Sequence, residues 1–318
     1  MDLYFNAYIL KMQWSKKHII SIKDFSRAEI DFVLEKSARM EGLLASGKST
    51  KLMSDKILAT LFFEPSTRTK MSFEAAMLRL GGRVIGFSGV SDTSIEKGET
   101  MLDTVRMAAG YADMIVMRHP VEGSSRLASE NVDVPVINGG DGANQHPTQT
   151  LLDLYTIKKQ FGKIDGMNIC MVGDLKYGRT IHSLVDALKM YDVELRFISP
   201  QNLKIPAYMT KELKKSKIKF EEREDLNVQG CDIVYVQRIQ RERFPDPQEY
   251  EKVKDCYVVD LGVADMMKEN AIIMHALPRV TEIKHEVDET KNAKYFQQAR
   301  NGVPVRMAVL CLVSGVDF

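Results

Sequence analysis

The sequence lacks any apolar run near the ~20 residues that a membrane-spanning helix needs, and it has no excess of one charge sign. Its 44 basic and 43 acidic residues give a net charge of +1. Bulk charge therefore does not attract nucleic acid, and any anion binding must be local. With 44% hydrophobic and 27% charged residues, the composition is that of an ordinary globular protein. These features exclude fibrous, disordered and membrane-spanning classes, and we expect no nucleic-acid or membrane partner.

Cysteine is scarce, and none of the 4 cysteines forms a C-x-x-C pair. Cys170, Cys256 and Cys311 lie in the apolar runs NICMVG, CYVVD and AVLCLV, where a thiol behaves as a small core hydrophobe. We therefore predict reduced, buried cysteines in a cytoplasmic protein, and neither a disulfide nor a zinc site.

The opening segment MDLYFNAYILKMQW is apolar but has no basic leading region and no small-residue cleavage site. We therefore do not expect a signal peptide. Two interpretations stay open: a short additional segment at the N-terminus, or translation that begins at Met12.

A length of 318 residues favours two domains over one. Along the chain, short apolar runs alternate with loops and with segments of helical period, which is typical of parallel α/β sheets. We therefore predict two α/β domains, each a parallel sheet flanked by helices. The chain would pass between them near residues 140–150, with the active site in the cleft between the domains.

The individual elements follow from capping signals and periodicity. Ser26–Ala45 is predicted to be a helix, with Ser26 as N-cap and Glu29 three residues on. The continuous apolar run Ile57–Phe63 predicts a strand buried on both faces. Further predicted strands are Val84–Phe87, Met114–Met117, Val134–Ile137, Asn168–Val172, Glu194–Ile198, Ile233–Val236, Tyr257–Val259 and Ile272–Met274. Further predicted helices are Lys70–Leu80, Glu99–Tyr111, Pro147–Phe161, Ile181–Met190 and Val305–Val313.

The segment Glu64–Thr69 lies between a predicted buried strand and a predicted helix. Its three hydroxyls, the N–H groups of the helix start and the Arg68 guanidinium would converge on one point. Helix dipole, unpaired donors and guanidinium all favour a phosphate there. An N-capped helix with an exposed arginine explains the same residues. A Walker loop is excluded because its glycines and its G-K-[ST] ending are missing.

Two more polar groups follow apolar segments. Arg118 comes after the predicted strand Met114–Met117, at the edge where α/β sheets bind ligands. His146 and Gln149 would share one face of the helix that starts at Pro147, where the helix dipole favours a neutral imidazole suited to polarising a carbonyl. The alternatives are an arginine in a surface turn and a histidine that only caps a helix.

In the second half, Arg179 follows the loop GDLKYG, and Arg238 with Gln240 follows the apolar run IVYV. Two guanidiniums that face one cleft suit a substrate with two carboxylates, although a solvated charged turn is also consistent with residues 237–243. The polar loop Asp92–Glu99 has no apolar anchor and, taken alone, predicts a solvated, mobile segment.

From about Lys17 to Val316 the sequence resembles the aspartate/ornithine carbamoyltransferase family, in order and without large gaps. The resemblance rests on the segments FFEPSTRT, DTSIEKGET, MRHP, GDGANQHPTQTLLDL, MVGDLKYGRTIHSL, QRIQRER, HALPR and YFQQA. It implies transfer of the carbamoyl group of carbamoyl phosphate to an amine. It also implies no cofactor, no metal and no covalent enzyme intermediate.

The resemblance implies a role for individual residues. The expected catalytic residues are Arg68, Thr69, Lys97, Arg118 and His146, of which Thr69, Arg118 and His146 would face the carbonyl oxygen. The expected ligands of carbamoyl phosphate are Ser66, Thr67, Arg68, Thr69, Arg118, His146 and Gln149, with Ser94 and Lys97 supplied by a neighbouring subunit. The expected ligands of aspartate are Lys97, Arg179, Arg238, Gln240, Leu277 and Pro278. Glu64 would pair with Arg179 and Arg243 on domain closure.

The aspartate branch of the family is favoured over the ornithine branch. The cationic side chain of ornithine should require an acid in the second-half pocket, and the ornithine branch typically has a serine-methionine-glycine loop and an H-C-L-P cysteine. This chain instead has Arg238 with Gln240, and Ala276 in place of that cysteine. The alternatives are a carbamoyltransferase for ornithine or an N-acylated amino acid, and a catalytically silent paralogue that binds anions.

The resemblance also implies a domain division and an assembly. Residues 1–147, completed by 299–318, would bind carbamoyl phosphate, and residues 148–298 would bind L-aspartate. The minimal active unit would be a cytoplasmic homotrimer with shared sites. Whether the trimer stands alone, joins a regulatory chain that contains zinc, or docks on another enzyme of pyrimidine biosynthesis stays open.

Overall fold

The computed structural model describes residues 14–47, 50–91, 93–239 and 246–318. The chain forms two compact units. One extends to Tyr155 and is completed by Asn301–Phe318, and the other is Thr156–Arg300. Each contains a parallel sheet flanked by helices, so the predicted fold class is confirmed. The chain crosses between the units at Tyr155–Thr156 and at Arg300–Asn301, and the division of binding roles predicted at 147 and 298 stays a prediction.

The first unit has a four-stranded parallel sheet in the order β2-β1-β3-β4. Its strands are β1 (Ile57–Phe62), β2 (Arg83–Ser88), β3 (Met114–His119) and β4 (Val136–Asp141). Its helices are α1 (Arg27–Ala45), α2 (Thr67–Arg79), α3 (Met101–Ala109), α4 (Ser124–Ser129) and α5 (Pro147–Phe161), which continues into the second unit.

The second unit has a five-stranded parallel sheet in the order β7-β6-β5-β8-β9. Its strands are β5 (Met167–Gly173), β6 (Val193–Ile198), β7 (Lys219–Arg223), β8 (Ile233–Gln237) and β9 (Ile272–His275). Its helices are α6 (Arg179–Leu188), α7 (Ala207–Lys215), α8 (Pro247–Val253), α9 (Leu261–Asp265) and the start of α10 (Tyr295–Val313). Short 3-10 helices cover Ile22–Asp24, Ser94–Lys97, Gln201–Leu203 and His285–Glu289.

Helix α1 begins where the sequence predicts, because its first turn is capped from both sides. The Ser26 hydroxyl accepts a hydrogen bond from the Glu29 backbone N–H, and the Glu29 carboxylate accepts one from the Ser26 backbone N–H. Such a capping box satisfies two donors that the helix itself leaves unpaired. Ile30, Val33 and Leu34 are all buried, as their helical spacing predicts.

The core of each unit lies against its central strands. In the first unit, Ala59, Leu61 and Ile115 of β1 and β3 form one cluster with Val105 and Ala108 of α3. Strands covered on both faces contain few polar residues, which is why β1 and β3 were recognisable as apolar runs. None of the described helices combines the length and the apolar character that crossing a membrane requires.

Several predicted boundaries are wrong, mostly at the polar ends of elements. Helix α2 starts at Thr67 rather than Lys70, and α6 starts at Arg179 rather than Ile181. Strand β3 continues through Arg118 to His119. The polar residues at these ends predict loop, although the backbone hydrogen bonds of the helix or strand continue through them.

Other differences concern whole segments. Tyr257–Val259 is not a strand, since Val259 forms only an isolated bridge with Ile283. Strand β7 was missed because its sequence KFEER is polar and half exposed. Helix α10 begins at Tyr295, ten residues before the predicted start, and contains Pro304. Cys256 is exposed, contrary to the prediction that it is buried.

Candidate active site

The start of α2 forms the first part of the candidate site. Ser66 is the N-cap residue with extended backbone, and its side chain makes no capping hydrogen bond. Thr67, Arg68 and Thr69 then occupy the first helical turn. The N–H groups of a first turn have no partner within the helix and carry its positive dipole end. This turn therefore presents hydroxyls, N–H groups and one guanidinium to an anion.

A second cation lies beside this turn. The Arg118 side chain is 11% exposed, and its Nη2 donates to Glu64 Oε1 at 3.1 Å. Its buried Nε has no hydrogen-bond partner in the described part of the chain. Partial burial and the positive charge of Arg118 both lower the pKa of Arg68 below its ordinary value. Two guanidiniums that repel each other and are balanced by one carboxylate favour a bound anion.

Thr69 and His146 meet in the interior of the first unit. The Thr69 hydroxyl lies 3.5 Å from His146 Nε2, and the two residues are 6% and 4% exposed. The His146 carbonyl accepts hydrogen bonds from the N–H groups of Gln149 and Thr150, so His146 marks the start of α5. A hydroxyl and an imidazole in this position are suited to donate to one carbonyl oxygen.

Gln149 is held by a partner that the sequence reasoning missed. Its Nε2 donates to Asp153 Oδ1 at 2.9 Å, one turn further along α5. Burial lowers the pKa of Arg306 to about 10, while the charge of Asp153 opposes that shift. The guanidinium carbon of Arg306 also lies 5.0 Å from the ring centre of Phe73. Asp153 therefore orients the Gln149 amide, and its own charge is offset by a buried cation.

A buried carboxylate, Asp141, organises the loop that leads to His146. It is 1% exposed. Oδ1 accepts from Asn138 Nδ2 at 2.8 Å and from Gln145 N–H at 3.1 Å. Oδ2 accepts from Gly123 N–H at 2.8 Å and from Asn144 Nδ2 at 3.0 Å. Four donors on one carboxylate leave this loop little freedom, which fixes the position from which His146 enters α5.

The polar loop before α3 is more ordered than predicted. Ser94–Lys97 forms a 3-10 helix, and Ile95 packs against the apolar core cluster of the first unit. The prediction that this loop lacks an apolar anchor was therefore wrong. Ser94 and Lys97 themselves are exposed. Asp92 lies outside the described residues.

In the second unit the two predicted arginines lie at neighbouring strand ends. Gly173 ends β5 and pairs with Gln237, the last residue of β8. A Cβ on Gly173 would lie 2.0 Å from the Gln237 carbonyl oxygen, and its φ is +114°, so only glycine permits this approach. The Thr180 hydroxyl, one residue after Arg179, donates to Gln237 Oε1 at 2.9 Å. Arg238 therefore follows directly on the residue that contacts the start of α6.

The segment after β9 carries Leu277 and Pro278, joined by a cis peptide bond. Leu277 adopts the left-handed conformation with φ of 58°, which costs a non-glycine residue about 1–3 kcal/mol and needs support from its surroundings. That support comes from Glu282, 6% exposed, which accepts from His275 Nε2 at 2.8 Å and from the Val280 and Thr281 N–H groups at 3.0 Å. The Leu277 N–H donates to His275 Nδ1 at 2.7 Å.

The structure thus brings Arg68, Thr69, Arg118 and His146 together in the first unit, whereas Ser94 and Lys97 stay exposed. Gln240 and Arg243 lie outside the described residues. Glu64 contacts Arg118 within the first unit, and its expected pairing with Arg179 and Arg243 stays a prediction. Asp141, Asp153 and Glu282 were not predicted, because they act through other residues and nothing in their local sequence distinguishes them from surface acids.

Comparison with known proteins identifies the family. Residues 17–159 match the model of the aspartate/ornithine carbamoyltransferase carbamoyl-P binding domain. Residues 165–313 match that of the aspartate/ornithine carbamoyltransferase Asp/Orn binding domain. The chain belongs to the aspartate/ornithine carbamoyltransferase family.

Similar proteins lie in the aspartate branch of this family. The aspartate carbamoyltransferase catalytic subunit of Thermococcus kodakarensis is 57% identical over 96% of this chain and 99% of its own length. The catalytic subunit of Methanocaldococcus jannaschii aspartate transcarbamoylase superposes with a TM-score of 0.89 at 53% identity, covering 94% of this chain and 99% of that one. The Trypanosoma cruzi enzyme with carbamoyl phosphate and aspartate superposes with a TM-score of 0.88 at 36% identity, covering 93% and 96%.

Glu282→Gln tests how the Leu277–Pro278 segment of this carbamoyltransferase is held. Burial raises the pKa of Glu282, but hydrogen bonds from His275 and the backbone outweigh burial and keep it below the ordinary 4.5. A lowered pKa in the folded state means that the carboxylate stabilises the fold above pH 4.5 and that this contribution is lost as the pH falls. We expect the variant to lose about 1–3 kcal/mol of unfolding free energy near pH 7, and the deficit to shrink near pH 4.

Urea unfolding at both pH values measures this difference, with the exposed Glu286→Gln as a matched control. A deficit of the same size at both pH values would show that the charge of Glu282 is not what holds the segment.

Proposed function

We propose that this chain is the catalytic subunit of an aspartate carbamoyltransferase. It transfers the carbamoyl group of carbamoyl phosphate to L-aspartate, giving N-carbamoyl-L-aspartate and phosphate, a reaction of de novo pyrimidine biosynthesis. The observation that carries the proposal is the convergence of Arg68, Arg118, Thr69 and His146 at the start of α2. The similar proteins are named as catalytic subunits of aspartate carbamoyltransferase, which supports the same reaction.

In the proposed mechanism the first unit binds carbamoyl phosphate and stabilises the charge that develops on it. The start of α2 and Arg68 bind the phosphate, and Arg118, Thr69 and His146 face the carbamoyl oxygen. The deprotonated amine of aspartate attacks the carbamoyl carbon, negative charge develops on that oxygen, and phosphate leaves as the tetrahedral intermediate collapses. Donors that are already fixed in place stabilise this charge without reorganising. Holding two anionic substrates side by side supplies the rest of the rate enhancement.

The second unit supplies the acceptor site. Arg179 and Arg238 follow the adjoining strands β5 and β8, and such guanidiniums bind carboxylates in a fixed planar geometry. L-Aspartate has two carboxylates, whereas ornithine has one carboxylate and a cationic side chain. The pair of arginines therefore favours aspartate.

The first test is a product assay. We expect the purified chain, given carbamoyl phosphate, to form a carbamoylated product with L-aspartate and not with L-ornithine, because two guanidiniums repel the ornithine ammonium. Product can be measured by mass spectrometry in parallel tubes. Product with ornithine alone would refute the acceptor assignment while leaving the carbamoyl-phosphate site intact.

Two substitutions separate the roles of the phosphate and carbonyl ligands. We expect His146→Ala to lower kcat by ~10²-fold with little change in KM for carbamoyl phosphate, because one oxyanion donor contributes about that much. Arg68→Ala should raise KM and so lower kcat/KM, because Arg68 contacts the bound anion. The fall in kcat/KM should correspond to a loss of about 2 kcal/mol or more of binding free energy. Steady-state kinetics and circular dichroism together check both variants. A folded His146→Ala enzyme with normal kcat would remove His146 from the mechanism.

We further propose a cytoplasmic homotrimer with active sites shared between subunits. Several large apolar side chains of the first unit are exposed by 40% or more: Met71 and Leu78 of α2, Ile85 of β2, Met107 of α3, and Tyr111. Strand β2 is the outer strand of its sheet. Exposed apolar residues beside an open sheet edge are typical of a subunit contact. In this assembly Ser94 and Lys97 would enter the site of the neighbouring subunit.

Mixing two inactive variants tests the shared sites. Lys97→Ala and His146→Ala chains, unfolded together and refolded, should recover activity, because in a closed ring about a quarter of sites would combine one intact Lys97 with one intact His146. Each variant refolded alone is the control, and light scattering gives the mass of the assembly. A mixture no more active than the average of the two controls would show that each site is built from one chain.

A further inference from the structure

Two cysteines of the second unit lie in contact, away from the candidate site. Cys170 is in the middle of β5, and Cys231 is in the turn that precedes β8. Both belong to the same apolar cluster of buried residues, and their thiols influence each other electrostatically. The turn is fixed to the start of β5, because Asp232 N–H donates to the Asn168 carbonyl at 2.8 Å and Asn168 N–H donates to Asp232 Oδ2 at 2.9 Å.

A guanidinium is fixed beside this pair. Arg196 Nη1 lies 3.5 Å from Cys231 Sγ and also donates to the carbonyls of Asn227 and Gln229, at 2.9 Å each. Its Nε is hydrogen-bonded to Glu221. The hydrogen bond from Cys170 and the charge of Arg196 lower the pKa of Cys231 although burial opposes them, whereas burial raises the pKa of Cys170. The position of Arg196 therefore favours ionisation of Cys231 over that of Cys170.

Cys231 lines a cavity that Cys170 does not line. A cavity of about 420 Å³ lies along the amino ends of β5, β6 and β7. Asn168, Arg196, Phe220 and Cys231 are among its lining residues, and Cys170 is not. The cavity is at the opposite end of the sheet from Gly173, so it is separate from the arginine loops.

We propose that Cys231 is a reactive thiol that attacks low-molecular-weight disulfides entering this cavity, and that Cys170 resolves the adduct into an intrachain Cys170–Cys231 disulfide. A thiolate beside a fixed cation is the nucleophilic form of cysteine. A second thiol in contact with it is what a resolving cysteine requires. Reversible disulfides of this kind occur in reducing compartments as redox-sensing sites.

The exchange balances in two steps. The Cys231 thiolate attacks one sulfur of RS–SR, the S–S bond breaks, and RS⁻ leaves as a mixed disulfide forms on Cys231. Cys170 then loses its proton and attacks the Cys231 sulfur, which expels the second RS⁻ and closes the Cys170–Cys231 bond. The two protein thiols are oxidised, the small disulfide is reduced to two thiols, and excess RSH reverses both steps.

The test uses the full, reduced chain and 2-hydroxyethyl disulfide. Samples taken over time are blocked with N-ethylmaleimide and digested, and each cysteine is quantified by mass spectrometry. Cys311 is the internal reference, because it is buried in α10 and burial raises the pKa of its thiol to about 12. We expect Cys231 to react at least ~10-fold faster than Cys311, and the linked Cys170–Cys231 peptide to become its main product.

Substitutions assign the two steps. In Cys170→Ala the hydroxyethyl adduct should persist on Cys231, and in Cys231→Ala the remaining Cys170 should not react. Arg196→Gln should slow the reaction of Cys231 by about threefold or more. Loss of the cation raises the pKa of Cys231, and the resulting fall in the thiolate fraction outweighs the gain in nucleophilicity of each thiolate. Arg106→Gln, at an exposed arginine of α3 in the first unit, is the matched control and should leave the rate unchanged.

Two results would overturn the proposal without any variant. If Cys231 and Cys311 react at the same rate, both are exposed only by unfolding of the chain. If wild-type Cys231 keeps the adduct and no linked peptide forms, Cys170 does not act as the resolving thiol.

Discussion

Parallel pairing of strands is the constraint on which both parts of the candidate site depend. In a parallel sheet all carboxyl ends lie at one edge, and the loops that leave them meet there. This is why Arg118 at the end of β3 lies near the α2 start that follows β1, and why Arg238 follows the residue that contacts Thr180. The sheets need close backbone contact at these ends, which Gly173 provides by having no side chain.

Positive groups that await an anion must be held in place while the site is empty. Carboxylates perform this task here: Glu64 holds Arg118, Asp153 holds the Gln149 amide, and Asp141 fixes the loop before His146. Each uses charge-assisted hydrogen bonds, which are shorter and stronger than neutral ones. The proposed catalysis therefore depends as much on these acids as on the arginines, since a donor that must first be oriented stabilises charge less effectively.

Much of the fold could be predicted because buried parallel strands are continuous apolar runs, as in Ile57–Phe62 and Ile233–Gln237. The exposed strand Lys219–Arg223 carries no such signal. The residues proposed to contact substrate were predicted from local motifs together with the family resemblance, whereas their supporting acids are set by contacts that no local pattern records. The proximity of Cys170 and Cys231 could not be predicted from a local pattern either. Only the pairing of β5 with β8 brings these distant positions together.

The position of β2 has a consequence for handling the protein in solution. Within the described part of the chain, no strand pairs with its outer side, and Ile85 on that strand is 40% exposed. An open edge next to apolar side chains is a template on which a second chain can add a strand. A separated subunit would therefore be prone to aggregate. Dilution or mild denaturant would separate the subunits of the proposed trimer and should make the protein less soluble before it unfolds. Assembly would then protect the chain from aggregation as well as complete its site.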